Sequence, residues 1–496
     1  MSIQIIEKKN GKSSLVKTVG SSSDAETIAK LIQNGKHEII RLTRQPLLNF
    51  EIEKEKDFID AFFSGIEDLH LLGPELIIGK LFDEIGFNAI EDEFFRYLVI
   101  TRLVYPVSKL KTTDYLSKYN GVTVSIDSLY RYLDKAHKYQ VSQIQDIGFR
   151  HAMRITGGEI KVVFYDVTTL YFEAEDEDDL RRMGFSKDGK NQQPQIVLGL
   201  LVNETGYPLA YELFEGNKFE GHTLIPVIEA FKTRYGFKKL VVVADSGLMS
   251  SKNLEALITH NYEFIIGARI KGEPEAGKRE ILGLKLQDGD SVILARGKGQ
   301  RLAISYSQAR ARKDAHNRKR GLDKLKKSLL SGKLTKKHIN NKGYNKYLTM
   351  DGDVNITIDY EKFVDDSKWD GLKGYLTNTR LKKDEIIAQY NKLYNIEKTF
   401  RISKTDLRIR PVYHYVKRRI ETHICICFAA CVIYKELERQ LKLKKSPLSP
   451  EKIIDIAKTI FRITLITPYS KTRHSRLVVN KEEQKEALRL FDIQYG

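Results

Sequence analysis

Hydrophobic residues along this chain follow two rhythms in turn. Between Gly73 and about Gly148 they return every three or four positions, as in PELIIGKLFDEIG and IEDEFFRYLVITRLV, which is the spacing of amphipathic helices, and Pro106 closes the second run. SKLKTTDYLSKY, the turn NGVTV and SIDSLYRYLDKAHK follow, with Ser125 as N-cap of the last helix. From 159 to 270 strand patterns take over. EIKVVFYDVTTLYF, QPQIVLGLLVN and YPLAYELFEG read as three successive strands, the last two joined by ETG. HTLIPVIEAFKTRYG reads as an amphipathic helix ended by Gly236, KKLVVVAD as a short strand apolar enough to be buried, SKNLEALITHN as a helix and YEFIIGARI as a strand.

Three strands, helix, strand, helix, strand is the order of a ribonuclease H-like core. Around it the pattern predicts a small α+β region over 1–72, with a helix near Ala25–Asn34 behind the capping stretch GSSSD, and a helical region over 73–150. A long insertion over 271–370, rich in short strands, interrupts the core. The core resumes over 371–436 with the strand LKGYLTNT, one long helix KKDEIIAQYNKLYNIEKTFRI and an apolar, buried helix HICICFAACVIYKELERQL. Residues 437–496 read as mostly helical, broken by SPLSP, and no internal repeat is visible. The expected class is α/β.

Composition narrows the setting. A chain of 496 residues suggests about three units. Its 41% hydrophobic content is ordinary for a folded protein, and 11 Pro argue against long disordered linkers. MSIQIIEKKNGK lacks the apolar core of a signal peptide, and no apolar run approaches the roughly 20 residues of a membrane span. Three Cys make no disulfide framework, so a reducing cytoplasm is expected.

Charge changes the picture more. The balance is +18, and the stretch Gln308–Lys346 holds fourteen Lys or Arg against two Asp, a local balance of +12. Such a concentration expects a polyanion, DNA or RNA first; a solvated basic helix is the bland alternative. Arg310, Arg312, Lys313, Arg318, Lys319 and Arg320 are the candidate phosphate contacts. The helix–turn–helix pattern ending at Lys138 would offer Ser128, Arg131 and Lys135 to a groove, unless it is a plain helical hairpin.

Two aspartates stand where buried strands should continue or end. Asp166 interrupts KVVFYDVTTLYFE, and Asp245 follows KKLVVVA. In a ribonuclease H-like sheet these strands are neighbours, so two carboxylates would meet, repelling unless a cation lies between them. Oxygen ligands of this kind suit Mg²⁺ or Mn²⁺. Each Asp alone also reads as a turn or cap. Tyr390, Glu397 and Lys404 recur at seven-residue steps, which on one helix would line up a phenol, a carboxylate and an ammonium; heptad-like surface polarity has the same spacing.

With those residues in place, the chain resembles the DDE transposases of bacterial insertion sequences, in the branch carrying a Tyr-x2-Arg-x3-Glu-x6-Lys signature. Tyr390, Glu397 and Lys404 fall on it, and Leu393 replaces its Arg. YDVTTLYFE, GFSKDGKNQQPQIVLGLLVNETGYPLAYELFEGN and VVVADSGLMS are similar to the blocks around the family's two Asp, so the likeness runs from about Lys161 to Cys431. The resemblance implies catalytic and metal-binding roles for Asp166, Asp245 and Glu397 with two Mg²⁺ or Mn²⁺ ions. It also implies cleavage at the terminal inverted repeats, transfer of the freed 3′-hydroxyl to target DNA, a homodimer at synapsis, and a bacterial, nucleoid-associated location. Some relatives hold a flipped base against an aromatic, a role open to Trp369, the sole Trp, which otherwise reads as a core residue.

Rival readings stay open at this point. Glu421, in YVKRRIETH, nearly repeats the signature one residue short. His423, Cys427 and Cys431 share a helix face and invite zinc, against the simpler reading of buried small residues. EAEDEDDL reads as a solvated acidic loop, with Lys187 and Lys190 beyond it as possible phosphate contacts. At the level of function, a resolvase-like nuclease of the same fold and a non-catalytic DNA-binding descendant are the alternatives. The long basic insertion argues against the first and the complete acid set against the second.

Overall fold

The computed structural model describes residues 1–43, 50–186, 189–237, 240–332, 334–340, 343–351, 355–467 and 470–495; Lys187 lies outside them. Two compact units emerge, residues 1–69 with 462–478, and residues 70–461 with 479–496. The first opens with the antiparallel hairpin β1 (Ser2–Lys9) and β2 (Lys12–Ser21). It continues through α1 (Ala25–Thr43), α2 (Phe50–Ser64) and β3 (Ile66–Leu71). Asp24 Oδ2 accepts from the Thr27 amide at 2.9 Å and starts α1, which runs to Thr43 rather than ending near Asn34.

The second unit begins with α3 (Lys80–Ile85), α4 (Glu93–Val104), α5 (Lys109–Tyr115), α6 (Ile126–Tyr139) and α7 (Val141–Ile155). Side-chain caps set three of the starts: Asp92 accepts from Phe94, Ser108 from Lys111 and Ser125 from Ser128, each through the backbone amide. The core follows as β4 (Val162–Tyr171), β5 (Gln195–Val202), β6 (Pro208–Glu215), α8 (Leu224–Tyr235), β7 (Val241–Ala244), α9 (Ser251–Thr259) and β8 (Glu263–Ala268). This is the expected ribonuclease H-like order.

The insertion departs from expectation. It contains α10 (Glu275–Leu282), β9 (Ser291–Ala295), β10 (Arg301–Tyr306), α11 (Gln308–Leu330), β11 (Leu348–Asp351), β12 (Asn355–Ile358) and α12 (Tyr360–Asp365). With β13 (Leu372–Thr377), β9 and β10 extend the core sheet to eight strands in the order β6-β5-β4-β7-β8-β13-β10-β9. The short apolar strands are therefore absorbed into the main sheet, and the basic stretch becomes the 23-residue helix α11. Leu325, Tyr347 and Leu348 form a small separate core beneath that helix.

The expected single long helix is two: α13 (Lys383–Asn391) and α14 (Tyr394–Thr405). Between them the amides of Lys392, Leu393, Asn395 and Ile396 each bond the carbonyl three residues back, the tighter 3₁₀ pattern. The break has tertiary causes. Leu393 is buried at the junction, and Asn395 Nδ2 donates to the Glu204 carbonyl at 2.7 Å. Next comes α15 (Lys417–Leu443), buried along most of its 27 residues as its composition demanded. It packs against α3, α4, α6, α7 and β6, so the helical region over 73–150 is built onto the core helix rather than standing apart. Among the described residues no helix is long and apolar enough to cross a membrane.

The tail is less helical than expected. After α16 (Pro450–Ala457) come β14 (Phe461–Ile466) and β15 (Arg473–Val478), which form a three-stranded sheet with β3; α17 (Glu482–Leu490) follows. A strand whose partner lies about 390 residues away in sequence has no local signature.

Asp134 on α6 ties the helical region to α15. It accepts from Arg419 Nε at 2.9 Å and from Arg418 Nε at 2.8 Å. Those guanidinium groups, Arg419 foremost, hold its carboxyl well below the usual range. Its contribution is therefore complete above the ordinary carboxylate pKa of about 3.9 and is lost as pH falls through the lower folded value. Asp134→Asn is expected to cost about 1–2 kcal/mol at neutral pH by urea denaturation, and the difference from the parent should shrink on acidification.

Candidate active site

The site begins with strand register. β4 and β7 run parallel with Tyr165 opposite Ala244, so the next residues along, Asp166 and Asp245, share one row. Neighbouring strands lie about 4.8 Å apart, which places the two carboxylates side by side on one face. The row continues across the sheet. β7 pairs β8 with Ala244 opposite Ile266, which carries Asp245 to Gly267, and Gly267 stands opposite Tyr375 on β13.

Each aspartate also has a local role. Asp166 Oδ1 accepts from the Val167 amide at 2.8 Å. Asp245 caps the turn Ser246–Leu248, accepting from the Gly247 amide, as its turn reading has it. Behind the row, on the opposite face, the wholly buried Tyr165 donates to Thr223 Oγ1 at 2.8 Å.

Helices α13 and α14 bring the third acid. α13 packs on β7, β8, β9, β10 and β13, and α14 on β4. The Tyr390 phenol rests over Gly267, where an added Cβ would sit 2.5 Å from its Oη and 3.1 Å from the Ser246 amide. The Tyr390 and Tyr375 rings meet edge to face at 4.9 Å. Burial, then the charge of Asp245, the Tyr375 phenol and the charge of Glu397, push the Tyr390 hydroxyl well above its ordinary value, so it stays a proton donor. The phenol thus lies within the field of both acids.

Glu397 is exposed in the first turn of α14. Its helix is anchored on both flanks. Thr399 Oγ1 donates to the Gly206 carbonyl at 2.8 Å, Lys392 pairs with Glu204, and Lys398 pairs with Glu438 on α15. Lys404 is half-buried seven residues on, about 10 Å along the same face. The seven-residue spacing therefore describes one helix only from Glu397 to Lys404; Tyr390 reaches the site from the preceding helix.

Two further cations face these acids. Lys373, two residues from Tyr375 and so on the same side of β13, sets its ammonium 4.5 Å from the Tyr390 ring centroid. Burial and Arg310 lower its pKa while Glu397 raises it. Arg310, in the first turn of α11, is thereby placed at the same mouth, with Asp314 at 3.5 Å. Lys373 and Tyr375 were missed in the sequence. The signal was present in LKGYLT, where a charge and a phenol two apart must share one face of an otherwise buried strand.

The other candidates separate by their partners. Arg312, Lys313, Lys319 and Arg320 are exposed on α11. Arg318 is not available as they are: it pairs with Asp370 and stacks over Phe363. On α6, Arg131 is exposed, whereas Lys135 is held by Asp92 at 2.9 Å. Trp369 is 8% exposed and packs with Ile270, Ile281, Leu302 and Ile304, in keeping with its reading as a core residue. Lys190 lies over the Tyr171 ring at 5.5 Å. Glu421 belongs to structure, being bonded to His137. His423 lies 3.7 Å from Cys427, and all three Cys are buried and free, in line with small core residues.

An all-oxygen pair in register fits a hard divalent cation. Glu397 completes the electrostatic set, although among the described residues no three His, Cys, Asp or Glu side chains close on a single point.

A family model described as Transposase DDE domain matches residues 157–433. No curated protein matches the chain. Among solved structures the chain is similar to a piggyBac transposase synaptic complex with hairpin DNA, at 11% identity over 78% of this chain and 79% of that one, with a TM-score of 0.41. It is also similar to a Mos1 transposase paired-end complex with left transposon end, at 12% identity over 37% of this chain and 57% of that one, with a TM-score of 0.16. At these scores neither neighbour assigns a residue.

Gly267→Ala is expected to destabilise the chain by about 1–3 kcal/mol in chemical denaturation, because its methyl group meets the Tyr390 hydroxyl. Adding Tyr390→Phe, which removes that hydroxyl, should recover part of the loss. A strictly additive double variant would show that the two residues do not touch.

Proposed function

This chain belongs to the family of the transposase DDE domain, and from that premise we propose that it moves an insertion sequence by cutting DNA at the element's terminal inverted repeats and joining the freed 3′-hydroxyls to target DNA. The observation that carries the reading is the shared row of Asp166 and Asp245, with Tyr390 in the field of both Asp245 and Glu397 and with Lys373 and Arg310 near that phenol.

The chain's residues divide the work. Asp166 and Asp245 would hold divalent cations between them, with Glu397 as the third carboxylate. When bound, two such ions, Mg²⁺ or Mn²⁺, supply the charge that activates a hydroxyl nucleophile and steadies the leaving oxygen. Tyr390, kept protonated, donates to a phosphate oxygen near Asp245. Lys373 and Arg310 offset charge that builds on the phosphoryl group. Leu393, buried at the α13–α14 junction, stands where the family signature has Arg, and Lys373 and Arg310 supply positive charge near Tyr390. The exposed cations of α11 follow the DNA backbone, Lys404 extends the basic edge along α14, and Arg131 gives a further contact from α6. Synapsis of two ends calls for a homodimer working on the nucleoid of a bacterial cytoplasm.

The decisive assay uses DNA carrying the element's own ends, read from its genomic flanks. Asp166→Asn, Asp245→Asn and Glu397→Gln should each lower Mg²⁺-dependent strand cleavage by about a hundredfold or more while duplex binding persists, and chelation should abolish cleavage in the parent. Retention of cleavage by all three variants would sink the mechanism. Separately, replacing Arg312, Lys313, Lys319 and Arg320 with Ala should flatten the salt dependence of duplex binding by about one unit of log–log slope for each phosphate left without its cation.

A further inference from the structure

A cavity of about 530 Å³ opens between the α4–α5 junction, the segment over 408–414 and the first half of α15. Its lining is cationic, and two of its cations are buried. Arg102 is 6% exposed and Lys109 5%. Arg102 Nε has no hydrogen-bond partner. His414 and His423 complete the inner wall, and Arg410 stands at the lip with its guanidinium 5.5 Å from the Tyr171 ring.

Among the described residues no carboxylate lines this cavity to answer the charge. Burial, followed by Arg102, brings Lys109 down to about 7. Burial, Lys109, Arg102 and Arg419 bring His414 down to about 3, and burial with Arg102, Lys109 and His414 beside it lowers His423 as well, so both rings are neutral near pH 7. The groups facing one another across the cavity therefore repel. An uncompensated buried charge costs several kcal/mol, and an unpaired buried donor adds to it. Elsewhere the chain compensates such charges. Lys435 and Glu438 pair within α15, and Glu436 is bonded by His151 and Arg439. Among the described residues this cavity has no such answering carboxylate, and the buried donors of Arg102 and Lys109 suit a compact oxyanion.

We propose that this cavity is a phosphate site, and that its occupant is a backbone phosphate of the DNA held by the catalytic face, an inference that rests on the transposase reading. Its position supports the assignment. Phe172, just past the end of β4, bridges to Val412 in the cavity's lining segment. Asp166 lies six residues before Phe172, an even step that keeps both on one face, about 20 Å away along the strand, or about six base-pair rises of 3.4 Å. A phosphate gripped there lies outside the reacting one and sets the register of the strand that enters the row of acids. Arg102 and Lys109 are thus positioning residues, remote from the chemistry.

The test uses the full chain, inorganic phosphate and a random-sequence DNA duplex. Lys109→Met keeps the volume and removes an uncompensated charge, so its melting temperature should equal or exceed the parent's. Its duplex affinity should fall about tenfold, and its salt slope by about one. Phosphate should raise the parent's melting temperature above that in chloride at matched ionic strength, and should do so less for Lys109→Met. Arg102→Met, read in the same assays, serves if Lys109→Met fails to fold. Duplex binding with parental affinity and slope in the variants overturns the proposal. If phosphate still protects the parent in that case, the site takes free phosphate and the DNA assignment falls. A parent chain that binds no duplex at all overturns the transposase reading instead, which keeps the two failures apart.

Discussion

Two like charges held side by side are the constraint around which this molecule is arranged. Parallel pairing of β4 with β7 puts Asp166 and Asp245 in one row, and at a strand spacing of about 4.8 Å neither carboxylate can ignore the other. Apolar residues on both strands hold that register firmly, because slipping it by one position would turn every buried side chain to the wrong face. The row therefore gathers negative charge on one face of the sheet, and positive charge reaches that region from other segments.

The surrounding elements supply that charge in graded form. Nearest the row are Lys373 and Arg310, one from a strand of the same sheet and one from the start of the basic helix. Farther out are the exposed cations of α11, which a polyanion meets first. Between them Gly267 leaves room for the Tyr390 phenol beside the acids. The third acid depends on rigidity elsewhere. Its helix is tied to the β5–β6 turn through Thr399, Asn395 and Lys392, and to the buried α15 through Lys398. The buried cations around Arg102 and Lys109 extend the same logic to a second place, where positive charge faces positive charge across a cavity.

Local pattern carried much of this. The order of strands and helices from β4 to β8 is written in the alternation of apolar residues, and the caps at Asp92, Ser108 and Ser125 mark helix starts by chemistry that needs only neighbours in sequence. The same reading erred where a segment's state is set by distant partners. The strands β9 and β10 look like part of a separate β-rich insertion until the sheet edge they complete is known. The run from Lys383 to Thr405 has helical periodicity throughout, yet contacts at Glu204 and the burial of Leu393 break it.

By itself the sequence determined the two aspartates, the candidate glutamate, the concentration of positive charge and the type of core, because periodicity, charge and residue chemistry are properties of the chain. Tertiary structure decided which of those groups meet. It put Asp166 and Asp245 in one row, brought Tyr390 to them from a separate helix, added Lys373 and Tyr375, and committed Arg318 and Lys135 to carboxylates of their own. The reason is physical: strand register, helix breaks and ion pairs between remote segments depend on packing energies summed over the whole fold, and no short window of sequence contains them.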